Sequence, residues 1–286
     1  MDYKTPTSID DAIQLLVNAT GPVQLLAGGT DLLVQIRAGF NKPTLVVDLK
    51  NIPELRKMSI NGNGTRIGAA VSGAELNENS DIKAAWPGVV EATDLIGSTQ
   101  IQGRASLGGN LCNASPAADT VPALVAAGAS CLIAGPEGER TVPVEEVPTG
   151  PGQTSLKKGE FVVEFQLPKK LARSSDAYLR FIPRTEMDIA VVGAGVSVTL
   201  DESGICQSAR IALGAVAPTV VVVESGAEAL IGSKLDDDAL GKLKAAASAA
   251  CKPIDDKRGT VEFRVDVAGV LATRAALIAK HRAEVN

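Results

Sequence analysis

Two glycine pairs constrain this chain more than any other feature: Ala27-Gly28-Gly29-Thr30-Asp31 and Ser106-Leu107-Gly108-Gly109-Asn110. The first follows the short apolar run Val23-Gln24-Leu25-Leu26-Ala27 and precedes a helix-like pattern at Leu32, Leu33 and Ile36. It therefore sits at a strand-to-helix turn. Adjacent glycines there leave several main-chain N–H groups unshielded by side chains. Such concavities suit anions, and Thr30 adds a hydroxyl donor. The second pair repeats the chemistry, with Ser106 before it and Asn110 after it. Two such loops in one chain suggest a diphosphate held from two sides. Either loop alone reads more readily as a turn. Neither fits G-x-G-x-x-G or G-x-x-x-x-G-K-[ST].

The surrounding pattern predicts three units. Residues 8–19 read as a helix, with Ser8 as N-cap and Ile9, Ile13, Leu16 and Val17 on one face. With the strand before the first glycine pair, the helix after it and a buried-type strand Leu45-Val46-Val47-Asp48-Leu49, this gives α-β-α-β and favours parallel pairing. A hairpin is expected over 58–68, helical segments from Val71 to about Thr99, and a helix from Thr120 to Ala127 with Pro122 near its first turn. A second hairpin over 129–143 and a strand Phe161–Pro168 follow. The polar, basic stretch Lys169–Asp176 is the expected linker. Beyond it, strands at 191–200 and 209–216 and Ala-rich helices at about 236–251 and 265–284 read as an antiparallel sheet covered by helices. The expected class is α+β, divided as 1–52, 53–172 and 176–286.

Composition removes several function classes. The 286 residues are long enough for two or three cores. The 45% hydrophobic content suits a soluble globular protein, and no apolar run could span a bilayer, so no stable membrane insertion is expected. The start has no basic segment leading into an apolar one, which makes the cytoplasm the expected compartment. A net charge of −5 with no basic stripe argues against nucleic acid. Cys112, Cys131, Cys206 and Cys251 are far apart, which argues against a zinc or iron–sulfur site and against a disulfide framework. They read as free thiols, buried or half-exposed, with Cys112 a packed neighbour of the second loop. A single histidine, His281, leaves little for a metal site or imidazole chemistry.

The segments Leu25–Leu32 and Ala105-Ser106-Leu107-Gly108-Gly109-Asn110-Leu111-Cys112-Asn113-Ala114-Ser115-Pro116-Ala117-Ala118-Asp119 closely resemble the FAD-binding medium subunit of the molybdenum hydroxylases, of carbon monoxide dehydrogenase and xanthine dehydrogenase type. The segments Arg184-Thr185-Glu186-Met187-Asp188-Ile189-Ala190 and Asp256–Arg264 match later motifs of the same family, so the resemblance covers nearly the whole chain. It implies a two-part FAD-binding domain, a small parallel βαβ unit plus a mixed α/β unit, then a C-terminal flavoprotein domain.

The resemblance also implies site residues. Leu25, Leu26, Ala27, Gly28, Gly29, Thr30, Asp31 and Leu32 form the first loop on the FAD pyrophosphate, and Ser106, Leu107, Gly108, Gly109 and Asn110 form the second. Asp119 falls on an acidic cofactor-contact position. A carboxylate repels a diphosphate, so hydrogen bonding to FAD hydroxyls is its role there; a helix N-cap is a compatible alternative. Ile96 and Val162 line the flavin in relatives, with ordinary core packing an equal alternative. Arg180 matches a basic position near the flavin, although a lone arginine otherwise suggests the surface. Asn113 and Ser115 donate to phosphate or brace the loop. Asp188 and Ile189 belong to the late motif, and Ile189 stands where carbon monoxide dehydrogenases place a tyrosine, a departure that weakens assignment to that branch.

The implied activity is that of an oxidoreductase subunit that relays electrons through FAD, with no catalytic acid or base of its own and no metal. The implied partners are a large molybdopterin-binding subunit and a small subunit with two [2Fe–2S] clusters, in a dimer of heterotrimers. A self-contained FAD-dependent oxidase or reductase of the same fold is the alternative, and a scaffold whose glycine pairs are mere turns is a distant third.

Overall fold

A computed structural model describes residues 1–286. The first unit is β1 (Asp2–Lys4), α1 (Ile9–Asn18), β2 (Val23–Leu26), α2 (Leu32–Arg37) and β3 (Leu45–Asp48). Ser8 caps α1 by accepting from the Asp11 N–H. The strands form a parallel sheet in the order β1-β3-β2, so the expected parallel pairing is present. The terminal strand β1 is an addition to the expected pattern: three residues are too few for periodicity to reveal.

The second unit holds β4 (Met58–Asn61), β5 (Gly64–Gly68), α3 (Gly73–Glu78), α4 (Ser80–Ala85), α5 (Pro87–Asp94), α6 (Thr99–Gln102), α7 (Leu107–Cys112) and α8 (Thr120–Ala126), followed by β6 (Ser130–Gly135), β7 (Gly138–Pro143), β8 (Pro148–Gly150), β9 (Gln153–Thr154) and β10 (Phe161–Leu167). Its main sheet runs β4-β5-β10-β6-β7, all antiparallel. The two expected hairpins are its edges. The central strand β10 is buried on both faces: Phe161 and Val163 join a core shared with α1 and β3, while Val162, Phe165 and Leu167 join the core under α3–α8. A register shift between Val162 and Glu164 interrupts its alternation.

The third unit is β11 (Ser174–Phe181), β12 (Val192–Leu200), β13 (Cys206–Gly214), β14 (Val221–Val222), α9 (Glu224–Leu230), α10 (Asp237–Ala250) and α11 (Val261–Val285). Its antiparallel sheet is covered by α11, through a run of buried alanines that includes Ala268, Ala272, Ala275, Ala276 and Ala279, with α9 against β13 and α10 packed on both helices. Two expectations change here. The linker reading of 169–176 fails at its end, because Ser174, Ser175 and Asp176 lie in β11 and are buried. Polar residues suggested a linker, but Asp176 faces the docking surface of α5, where Gly88 brings the helix against Asp176 and the Ala177 backbone. The last helix also begins earlier than expected, at Val261, where Thr260 caps it through the Phe263 N–H.

Candidate functional site

The first two units leave a cleft of about 650 Å³ between them. Its walls are the loop after β2, the start of α7, Ala69 and Ala70 at the end of β5, the β8–β9 turn, and Phe161 and Val162 of β10. That volume lies within the range of about 300–1,000 Å³ common to small-molecule sites.

The first loop forms one wall. None of the N–H groups of Gly28, Gly29, Thr30, Asp31 and Leu32 donates to a main-chain carbonyl. Gly29 adopts φ +76°, a conformation that glycine takes without steric penalty. Gly28 touches the second loop: a Cβ there would come within 1.9 Å of the Arg104 carbonyl oxygen. The two loops are therefore in direct contact, although 78 residues separate Gln35 from Asn113, which hydrogen-bond across them at 3.0 Å. Gln35 in turn accepts from Asn41 at 2.6 Å, which fixes its amide orientation.

The second loop does not repeat the first. Ser106 caps α7 by accepting from the Gly109 N–H, the Asn110 N–H donates to the Ser106 carbonyl, and the Gly108 N–H donates to the Ala69 carbonyl. Its donors are largely taken by protein. What it offers the cleft is bare surface at Gly109, where a Cβ would meet only Ser106 Oγ at 3.3 Å, and the amide of Asn110. The Asn110 Oδ1 accepts from both N and Oγ1 of Thr120, which turns its NH2 group away from that pair. The symmetric grip expected from the sequence becomes one loop of free donors facing one smooth wall.

Leu25, Ala27, Gly28, Gly29, Thr30, Asp31, Leu32, Ile96, Ser106, Gly108, Gly109, Asn110, Asn113 and Val162 all line the cleft. Leu26 and Leu107 turn their side chains into the interior. Ser115 lies outside the lining, where its Oγ accepts from the Ala117 N–H and braces the turn. Asp119 does not cap α8: its carboxylate accepts from Tyr178 Oη at 2.9 Å and from Arg180 Nη1 at 2.9 Å. Burial pushes this carboxyl up to about 6, against the opposing pull of Arg180 and Tyr178. Arg180 is buried as well and also donates to the Leu95 carbonyl at 2.7 Å, immediately before the cleft residue Ile96. The pair thus stands behind the cleft wall, so neither a surface role for Arg180 nor an N-cap role for Asp119 survives.

Asp188 and Ile189 lie outside the cleft lining, on a segment joined to its edge by the Met187 N–H, which donates to the Gly97 carbonyl at 3.4 Å. Hydrogen bonds from Arg258, the Ile189 N–H and Arg184 hold the Asp188 carboxyl down to about 2. Cys112 is not the packed neighbour expected, since its exposed side chain lines the cleft.

Several cleft residues carried no sequence signal. Gln35, Asn41, Leu55, Gly152 and Leu156 reach it from distant parts of the chain. No tight cluster of metal-ligating side chains is present, and no helix is long and apolar enough to cross a membrane. The lining contains no histidine, tyrosine, lysine or arginine. It is a binding cleft with apolar walls, amide groups and free backbone donors, and this donor set fits a diphosphate-bearing dinucleotide such as FAD.

Comparison with known proteins agrees. The family described as the FAD binding domain in molybdopterin dehydrogenase matches residues 1–170, and the CO dehydrogenase flavoprotein C-terminal domain matches residues 177–279. The chain is 33% identical to the carbon monoxide dehydrogenase medium chain of Hydrogenophaga pseudoflava over 96% of this chain and 95% of that one. It is 31% identical to the xanthine dehydrogenase FAD-binding subunit of Escherichia coli O157:H7 over 92% and 90%. A chain of the reconstituted CO dehydrogenase from Oligotropha carboxidovorans superposes with a TM-score of 0.94 at 33% identity, covering 99% of this chain and 98% of that chain. These relatives are oxidoreductase subunits, and the chain belongs to the FAD-binding medium-subunit family of the molybdenum hydroxylases.

Proposed function

We propose that this chain is the electron-transfer subunit of a heteromeric molybdenum hydroxylase, taking electrons from iron–sulfur clusters and passing them to an external acceptor. Its partners in this reading are a large molybdopterin-binding subunit and a small subunit with two [2Fe–2S] clusters, in a cytoplasmic dimer of heterotrimers. The observation that carries the reading is the first loop: five successive N–H groups without main-chain acceptors, on the wall of a cleft that has no acid–base pair of its own. When bound, the isoalloxazine ring supplies the redox chemistry.

The residues of this chain bind and orient. Gly28 to Leu32 would donate to the diphosphate, while Gly109 leaves room for it and Asn110 and Asn113 contribute amides. Ile96 and Val162 would form apolar wall against the ring. Asp119 and Arg180 would act one step back, holding Leu95 and so Ile96 in place. The names medium chain and FAD-binding subunit borne by the relatives support a division of labour with other chains.

Purification of a tagged full chain from cells that express its genomic neighbours tests this. The expected result is co-elution of a molybdopterin-binding chain and an iron–sulfur chain, with loss of the yellow flavin absorbance when the enzyme's substrate is added without oxygen. An isolated chain that turns over a substrate with its own FAD would support the self-contained oxidase instead.

A further inference from the structure

The cleft is built to hold a doubly charged anion, yet no lysine or arginine lines it, and its charged lining residue, Asp31, is acidic. The compensating charge stands one layer behind. Lys50 Nζ donates to the Ala27 carbonyl at 2.9 Å and to Asp48 Oδ1 at 2.7 Å. Asp48 is buried and also accepts from the Lys50 N–H and from Tyr3 Oη on the neighbouring strand. Burial would raise its carboxyl, but the hydrogen bonds from Lys50 and Tyr3 outweigh this and keep it ionised. The ammonium is therefore fixed beneath the loop by Asp48 at the end of β3, itself held by Tyr3 of β1.

The carbonyl it touches belongs to the peptide unit that carries the Gly28 N–H, the first of the five free donors. A cation on the oxygen of a peptide polarises the N–H at its other end, and chains of hydrogen bonds strengthen one another in this way. We propose that Lys50 is a positioning and electrostatic residue for the cofactor diphosphate, acting through the Ala27–Gly28 peptide and held by Asp48 and Tyr3. Sequence reading passes over it because Lys50 sits 23 positions after Ala27, beyond a different strand.

The proposal rests on the FAD reading of the cleft, and titration of the full-length apo chain with FAD at several salt concentrations separates the two. Lys50→Met should weaken FAD binding by roughly tenfold at low salt, as expected for loss of one charge-assisted hydrogen bond. Its affinity should also depend less steeply on salt than that of the parent chain, because one cation has gone. Lys50→Arg should recover most of the affinity. Should Lys50→Met not fold by circular dichroism, Lys50→Gln carries the same expectation. Three results would overturn the proposal: unchanged affinity in Lys50→Met, an equal loss at every salt concentration, or no recovery by arginine. A parent chain that takes up no FAD would instead overturn the underlying reading.

Discussion

A Cβ placed on Gly28 would stand 1.9 Å from the Arg104 carbonyl oxygen, whereas one on Gly109 would meet only Ser106 Oγ at 3.3 Å. The two glycines are bare for different reasons. Gly28 lets the loops touch; Gly109 keeps the cleft open. Gly28→Ala should therefore lower stability by about 2 kcal/mol or more in urea unfolding, since rigid backbone opposes the new methyl. Gly109→Ala should leave stability unchanged or raise it slightly, as a helical glycine replaced by alanine does. Asp119 gives a second test at this scale. Its carboxyl titrates near 6 when folded and near 3.8 as the unperturbed group, so the native state takes up the proton first. The sign follows: this group adds stability at low pH and loses it as pH rises through 6. Relative to Asp119→Asn, the parent chain should gain roughly 2–3 kcal/mol between pH 7 and pH 4. Unfolding curves at several pH values check this. A parent chain that loses ground to the variant on acidification would mean that Arg180, not burial, governs the pair.

Elements were legible where periodicity or turn chemistry was strong. The Ser8 cap, the Gly62-Asn63 hairpin turn and the apolar run before Gly28 each carry a local cause, and helix, hairpin and strand stand where expected. The strand β11 was missed because its buried start, Ser174-Ser175-Asp176, is polar, and the elements that bury it, α5 and α11, lie far away in the chain. The contact is close: a Cβ on Gly88 would lie 2.7 Å from Asp176 Oδ2 and 2.9 Å from the Ala177 backbone. Lys170 completes it, with Nζ 3.3 Å from Asp176 Oδ1 and 4.2 Å from the Trp86 ring centroid. Gly88→Val should force α5 off the third sheet and cost about 1–3 kcal/mol. Calorimetry should register this as a lower melting temperature or as a split transition; an unchanged single transition would show that this contact does not hold the units together.

At the scale of the whole molecule, the site depends on assembly. The glycine pairs announced themselves in sequence, but the cleft exists because the core shared by α1, β3 and β10 sets the first unit against the second. The third unit reaches the site indirectly, through Arg180 on Leu95 and through Met187 on Gly97. Those pairings join residues 85 and 90 positions apart, and no local pattern could report them. The same holds for Asp119 and Arg180, legible as charged positions but not as partners of one another. The central claim is that FAD lies in this cleft with its diphosphate against the glycine loops. Its most direct test is a fluorescence titration of the parent chain and of Gly109→Val with FAD, each checked for fold by circular dichroism. One FAD bound per parent chain, and none retained by a folded Gly109→Val, is the predicted result; a folded variant that binds FAD as the parent does would contradict the account.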